Sequence, residues 1–238
     1  MADQIIFKID GTDVKAGQGQ TILSAALDAG VYIPHLCFCP SLPPHGSCRV
    51  CAVKANGRYV AACTTPPEKD MTVVNNEDPE LKDFRKSVIE MLFVEGNHYC
   101  MFCERSGNCE LQAVAYYLGM TTPRYPFLLP QREVDASHPD VFLDRNRCIQ
   151  CGRCVQTSRD CDGKHVFELV GRGIGTSLGI DAESGLSNTD LSSRDKAVTV
   201  CPVGAINLRG TAFRTPIGKR LYDHQPISRV NDVACPER

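Results

Sequence analysis

Cysteines carry most of the chemistry this sequence can do, and their spacing sorts them into sets. In RCIQCGRCVQTSRDC, Arg147 to Cys161, three thiols stand three residues apart at Cys148, Cys151 and Cys154. The bacterial cluster-binding run C-x2-C-x2-C-x3-C-P would put a fourth at position 158, where this chain has Ser158. Cys201-Pro202, followed by VGAI, has the Cys-Pro ending of such a run and supplies the missing thiolate from well downstream. These four residues are expected to hold one [4Fe–4S] centre rather than two. Cys161, seven residues after Cys154, reads as a spare core thiol, and Cys235 has no assignment.

Two further sets lie upstream. Cys37, Cys48, Cys51 and Cys63 follow C-x10-C-x2-C-x11-C, the four thiolates that a [2Fe–2S] centre takes. Gly46, Pro40, Pro43 and Pro44 suit a loop wrapped round it. Cys39 competes with Cys37 for the first place, and whichever is left over is expected to be a buried thiol. In NHYCMFCERSGNC, His98, Cys100, Cys103 and Cys109 offer one imidazole and three thiolates, enough for a second [4Fe–4S] centre whose potential the histidine would raise. The same four residues can form a zinc site, so this motif alone leaves both metals open.

The rest of the sequence offers no second chemistry. His35, His45, His138, His165 and His224 have no ligand spacing and are expected at the surface or in structural roles. No nucleophile–base pair stands out, so no catalytic residue is assigned. Gly171, Gly173 and Gly175 stop short of a dinucleotide loop, because Thr176 stands where G-x-G-x-x-G needs its last glycine. That segment is expected to be a turn, and no flavin or NAD site is assigned.

With 238 residues, 42% hydrophobic and 23% charged, the chain has room for two or three small domains. A net charge of -2 gives no reason to expect nucleic acid or an anionic membrane surface. The start MADQIIFKID lacks the basic and apolar regions of a signal peptide, and no run reaches the roughly 18 apolar residues that span a bilayer. The cytoplasm is the expected location, and there 14 cysteines call for metal rather than a disulfide framework.

The elements that must position these ligands follow from periodicity and turn chemistry. Residues 5–9 read as a strand, Thr21 as the N-cap of a short helix and Gly30 as its stop. Asn56-Gly57 marks a hairpin, and 71–74 closes a small mixed α/β unit over 1–77. Asp78-Pro79 opens a helix whose apolar face is expected to carry Leu81, Phe84, Val88, Met91 and Leu92. A second helix runs from about 108 to 118, ended by Gly119, which completes a helical segment over 78–121. The prolines of TPRYPFLLP mark a linker over 122–139. A hairpin in HVFELVGRGIGTSLGI and a short helix in SSRDKAVTV belong to a third unit over 140–212, and a tail covers 213–238.

The joint order of these motifs, C-x10-C-x2-C-x11-C, one histidine with three cysteines and SGNCELQ, then C-x2-C-x2-C and CPVGAI, resembles the N-terminal region of the large iron–sulfur subunit of respiratory complex I. It is also similar to the N-terminal region of [FeFe] hydrogenases, though their further cysteine set and catalytic domain are missing here. In length it is most similar to the small iron–sulfur subunits of the diaphorase part of NAD-reducing [NiFe] hydrogenases. The resemblance implies an α+β chain with a β-grasp [2Fe–2S] domain, a helical [4Fe–4S] segment and a ferredoxin-like [4Fe–4S] domain. It implies an electron-relay subunit without activity of its own, in a hetero-oligomer with a flavin-containing NAD(H) subunit and a [NiFe] hydrogenase small subunit. The same relay in a complex I-type enzyme or an NAD-dependent formate dehydrogenase is the alternative, with a zinc-bound adaptor as the rival of another class. The family commonly has H-x3-C where His98 and Cys100 are separated by one residue, so Glu95 or a backbone group is the alternative fourth ligand.

Overall fold

The computed structural model describes residues 4–230 and Cys235. Among these residues, ten strands form three sheets: β1 (Ile5–Ile9), β2 (Thr12–Ala16), β3 (Ala52–Ala55), β4 (Arg58–Ala61), β5 (Thr72–Val74), β6 (Val134–Asp135), β7 (Val141–Asp144), β8 (Phe167–Val170), β9 (Ser177–Ile180) and β10 (Ile206–Leu208). The first sheet has the order β2-β1-β5-β3-β4, with β1 and β5 parallel and the other pairs antiparallel. Helix α1 (Ile22–Asp28) buries Ile22, Leu23, Ala25 and Ala26 in the core of this sheet, giving a β-grasp unit. Thr21 and Ser24 form a capping box at its start, and Gly30 takes the positive φ of 72° that follows its C-cap. The hairpin between β3 and β4 turns on Asn56 and Gly57, both at positive φ, as a tight primed turn requires.

Helix α2 (Pro79–Val94) begins where expected, with the Asp78 carboxylate accepting from the amides of Glu80 and Leu81. Its inner face matches the expectation in part, since Leu81 is buried and Val88 and Leu92 pack against the core. Leu81, Arg85, Ile89, Glu90, Phe93 and Val94 are buried, while Phe84 and Met91 lie on the outside. Two charged residues belong to the buried stripe because each is paired there. Arg85 donates to the carbonyls of Ala52 and Asn75 and to Asn75 Oδ1 at 2.8–2.9 Å, which fastens α2 to the sheet. Glu90 accepts from Arg124 Nε at 2.8 Å.

Helix α3 (Glu110–Tyr117) packs against α2 and is stopped by Gly119 at positive φ. Beyond it, β10-β7-β6 form a three-stranded antiparallel sheet and β8-β9 a separate hairpin. Helices α4 (Arg153–Asp160) and α5 (Lys196–Thr199) complete the ferredoxin-like part. Sequence periodicity did not reveal α4, which starts immediately after Gly152 at φ 71° and carries Cys154 in its first turn. The segment after 212 turns back: Tyr222 donates its amide to Gly107 O, Arg220 Nη1 donates to Ser106 O, and Ile227 is buried against α3.

Apolar packing forms two cores. One fills the β-grasp sheet; the other is continuous from Leu36 through α2, α3 and the ferredoxin-like part to Ile227.

Candidate metal centres

The first cysteine set straddles both cores: Cys37 and Cys48 pack in the larger one, Cys51 and Cys63 in the sheet core. The Cys37 side chain meets those of Cys48 and Cys63, and Cys51 meets Cys63, so four thiols crowd together without solvent. Hydrogen bonding from Cys48 and Cys63 holds the Cys37 thiol well below its ordinary range, and the hydrogen bond to Cys37 pushes Cys63 up. The Cys37 amide donates to Cys48 Sγ at 3.4 Å, and Arg49 and Gly46 at positive φ let the loop curl round the sulfurs. Cys39 is not the competitor that spacing allowed. It is bonded to Cys235 in a disulfide across 196 residues, tying the C-terminal segment to the first loop.

The second set shares one pocket. His98, Cys100, Cys103 and Cys109 line it together with Phe93, Leu111, Arg147 and Gly204. His98 Nε2 is buried and has no hydrogen-bond partner among the described residues. Burial, helped by Arg147, lowers the imidazole to about 4, which leaves it neutral at pH 7. Phe93 packs beside the ring at 5.4 Å, and a Cβ on Gly96 would lie 2.6 Å from Nε2, so only glycine leaves the ring its place. Burial pushes the Cys109 thiol up to about 12. An unpaired imidazole nitrogen beside three thiols suits a metal, whose charge deprotonates thiols outright. Glu95, the alternative ligand, is not in this pocket; it lines a different one with Cys48 and Cys148.

The third set lines an apolar pocket: Cys148, Cys151, Cys154 and Cys201, with Leu169, Leu178, Val203 and Ile206 around them. Cys201 comes from the end of α5 and reaches Cys148–Cys154 across the hairpin, as spacing anticipated. Burial raises Cys148 to about 11 and Cys151 and Cys154 further, while the Gln150 amide points at Cys148 Sγ at 3.4 Å. Cys161, at the C-cap of α4, takes no part in this pocket. Among the described residues, no group of three or more His, Cys, Asp or Glu side chains is arranged to hold a single metal ion. A polynuclear cluster needs no such convergence, because its four ligands are shared among two irons or spread over four.

The spatial order of the three sets differs from their order in the chain. Cys48 and Cys148 line one shared pocket, and a Cβ on Gly152 would lie 3.1 Å from His45 Nε2 in the first loop. Toward the second set, Arg105 Nη2 donates to Cys201 O at 3.3 Å and the Glu110 amide to Pro202 O at 2.9 Å. A Cβ on Gly204 would lie 3.2 Å from Cys103 Sγ. Arg147 spans the same junction, paired with Glu104 and Asp144 and aimed at Cys103 Sγ at 3.7 Å. The third set therefore lies between the other two.

Known proteins carry the same three regions in the same order. Residues 2–78 match a 2Fe-2S iron-sulfur cluster binding domain, 85–124 the NADH-ubiquinone oxidoreductase-G iron-sulfur binding region, and 138–207 the ferredoxin-like domain of NADH-quinone oxidoreductase subunit 3. The gamma subunit of the NAD-reducing hydrogenase HoxS of Cupriavidus necator is 44% identical, over 92% of this chain and 93% of that protein. The chain belongs to this gamma-subunit family. A chain of a solved NAD+-reducing [NiFe]-hydrogenase in the H2-reduced state superposes on this member with a TM-score of 0.93 at 46% identity, covering 98% of this chain and 99% of that one. The mitochondrial NADH-ubiquinone oxidoreductase 78 kDa subunit of Candida albicans is a more distant relative at 33% identity, and the match takes in 87% of this chain but 29% of that protein.

Within the gamma-subunit frame, sequence reasoning missed the residues that join the sites: Arg147, Arg153, Glu110 and His45. Charged residues beside candidate ligands carry no spacing signal. Arg147 precedes Cys148 and Arg153 stands between Cys151 and Cys154, but neither position by itself marks a joining role.

Proposed function

We propose that this chain is the electron-relay subunit of an NAD-reducing [NiFe] hydrogenase. It would hold a [2Fe–2S] cluster on Cys37, Cys48, Cys51 and Cys63, and [4Fe–4S] clusters on His98, Cys100, Cys103 and Cys109 and on Cys148, Cys151, Cys154 and Cys201. The observation that carries this reading is that every expected ligand falls into one of three buried or half-buried groups, and that the groups adjoin in series. Bound there, the clusters would supply one-electron exchange. The chain's own part is to hold them, exclude water and set their potentials through N–H···S contacts such as those from the Cys37 and Gln150 amides. The division into 1–77, 78–121, 122–139, 140–212 and 213–238 follows from the same ligand sets.

The order first, third, second leaves the first and second sites as the two ends. At the second, Met101, Phe102, Phe213 and Ile217 are exposed apolar residues around a groove that Cys103 also lines, or next to it. Such a rim suits a docked subunit, and the partners are a flavin-containing NAD(H) subunit and a [NiFe] hydrogenase small subunit. The chain would have no activity alone and would work in the cytoplasm; no helix among the described residues is long and apolar enough to cross a membrane. Reconstitution tests the reading: hydrogen-dependent NAD reduction by the two partners should require this chain, while each partner keeps its own dye-linked activity. Coupled turnover that persists without it would rule the relay out.

A further inference from the structure

Among the buried charges, Arg153 stands apart because of what its partners adjoin. Its side chain is wholly buried, in the first turn of α4 between Cys151 and Cys154. Nη1 and Nη2 each donate at 2.8 Å to one carboxylate oxygen of Glu110, the residue after Cys109. Nη2 also donates at 2.9 Å to the carbonyl of Phe38, the residue after Cys37. One planar guanidinium thus contacts the neighbour of a candidate ligand in the first and second sets, and sits within the third.

We propose that Arg153 is the positioning residue that fixes the three cluster sites relative to one another. The inference rests on the iron–sulfur reading above. A bidentate guanidinium–carboxylate pair has a set direction as well as a set length, and Lys cannot reproduce both arms. Glu110 adds to the lock, since its own amide is held by Pro202 O beside Cys201. Electron exchange between clusters weakens steeply with separation, so a small shift of any one loop would alter the coupling between sites without emptying them. The pair is buried away from solvent screening, so removing one partner leaves the other charge uncompensated and releases the segments it joins.

The test uses the full chain loaded anaerobically, with Arg153→Lys, Arg153→Met and Glu110→Gln. Iron content separates the two claims: a wild-type chain without iron would sink the cluster reading, whereas the positioning claim is judged only in variants that keep wild-type iron. In those, the magnetic interaction between reduced clusters, read as EPR broadening and fast spin relaxation, should fall toward that of isolated clusters. The loss should be smaller for Arg153→Lys than for Arg153→Met. Amide exchange should rise together at Phe38, Glu110 and α4, which gives a readout if Arg153→Met folds poorly. Arg124→Lys, which loosens an ion pair on α2 away from the cysteine sets, should leave the magnetic interaction unchanged. Full iron with an unaltered interaction in Arg153→Lys and Glu110→Gln would overturn the proposal. So would loss confined to the third site.

Discussion

His98 brings an unpaired Nε2 into a pocket already lined by three thiols, and its lowered pKa keeps the lone pair available at neutral pH. Replacing it with a thiolate adds negative charge to the cluster and favours the oxidised form. His98→Cys should therefore retain a full cubane and lower one midpoint in an EPR-monitored redox titration; all midpoints unmoved would remove His98 from the ligand set. Gly96→Ala should damage the same centre by a different route, since the added Cβ collides with the ring. For the cysteines, Cys201→Ser should abolish the signal of the third site alone, while Cys161→Ser and Cys39→Ser leave all three intact. A cluster lost in Cys161→Ser but kept in Cys201→Ser would reverse that assignment. The grouping of these side chains was legible in the sequence because their types and spacing follow cluster-binding runs. The Cys39–Cys235 bond was not, because a pairing across 196 residues leaves no local pattern.

At the level of elements, caps and turns were legible where a residue's own backbone preference decides: Thr21, Asp78, Asn56-Gly57 and Gly119 all act within a few residues of themselves. The inward face of α2 was legible only in part: Leu81, Val88 and Leu92 face the core, but the sequence reading kept charges outside, and burial of Arg85 and Glu90 depends on partners 10 to 34 residues away. The corrected face has a direct test. Ile89→Ala should cost about 2–5 kcal/mol by leaving a cavity, whereas Met91→Lys on the outer face should change stability by no more than about 0.5 kcal/mol. Urea unfolding of the cluster-loaded chain measures both, and equal costs would restore the face expected from periodicity. Helix α4 escaped notice because its residues serve the cluster loop first: Gly152 at positive φ and a buried Arg153 look like loop chemistry until the partner carbonyl and carboxylate are in view.

Across the whole molecule, the sheet core and the larger core meet at the first cysteine set, and the other two sets lie within or against the larger one. Metal binding should therefore be folding energy mainly for the larger core. Stripping iron with a chelator under reducing conditions should free amide exchange in the cysteine loops, α3 and α4 while β1, β2 and β5 stay protected. Uniform protection after iron loss would argue that the thiols are a structural core in their own right. The serial contact of the three sites, with the last set in sequence lying in the middle, was invisible in the chain because it depends on how loops from distant segments pack. That arrangement matters only if all three sites carry clusters, and the most direct test is anaerobic iron and acid-labile sulfide analysis of the purified chain. The account predicts about ten of each per chain, with one [2Fe–2S] and two distinct [4Fe–4S] signals by EPR. About six would remove one cubane, about eight the [2Fe–2S] centre, and zinc in place of iron would contradict the account outright.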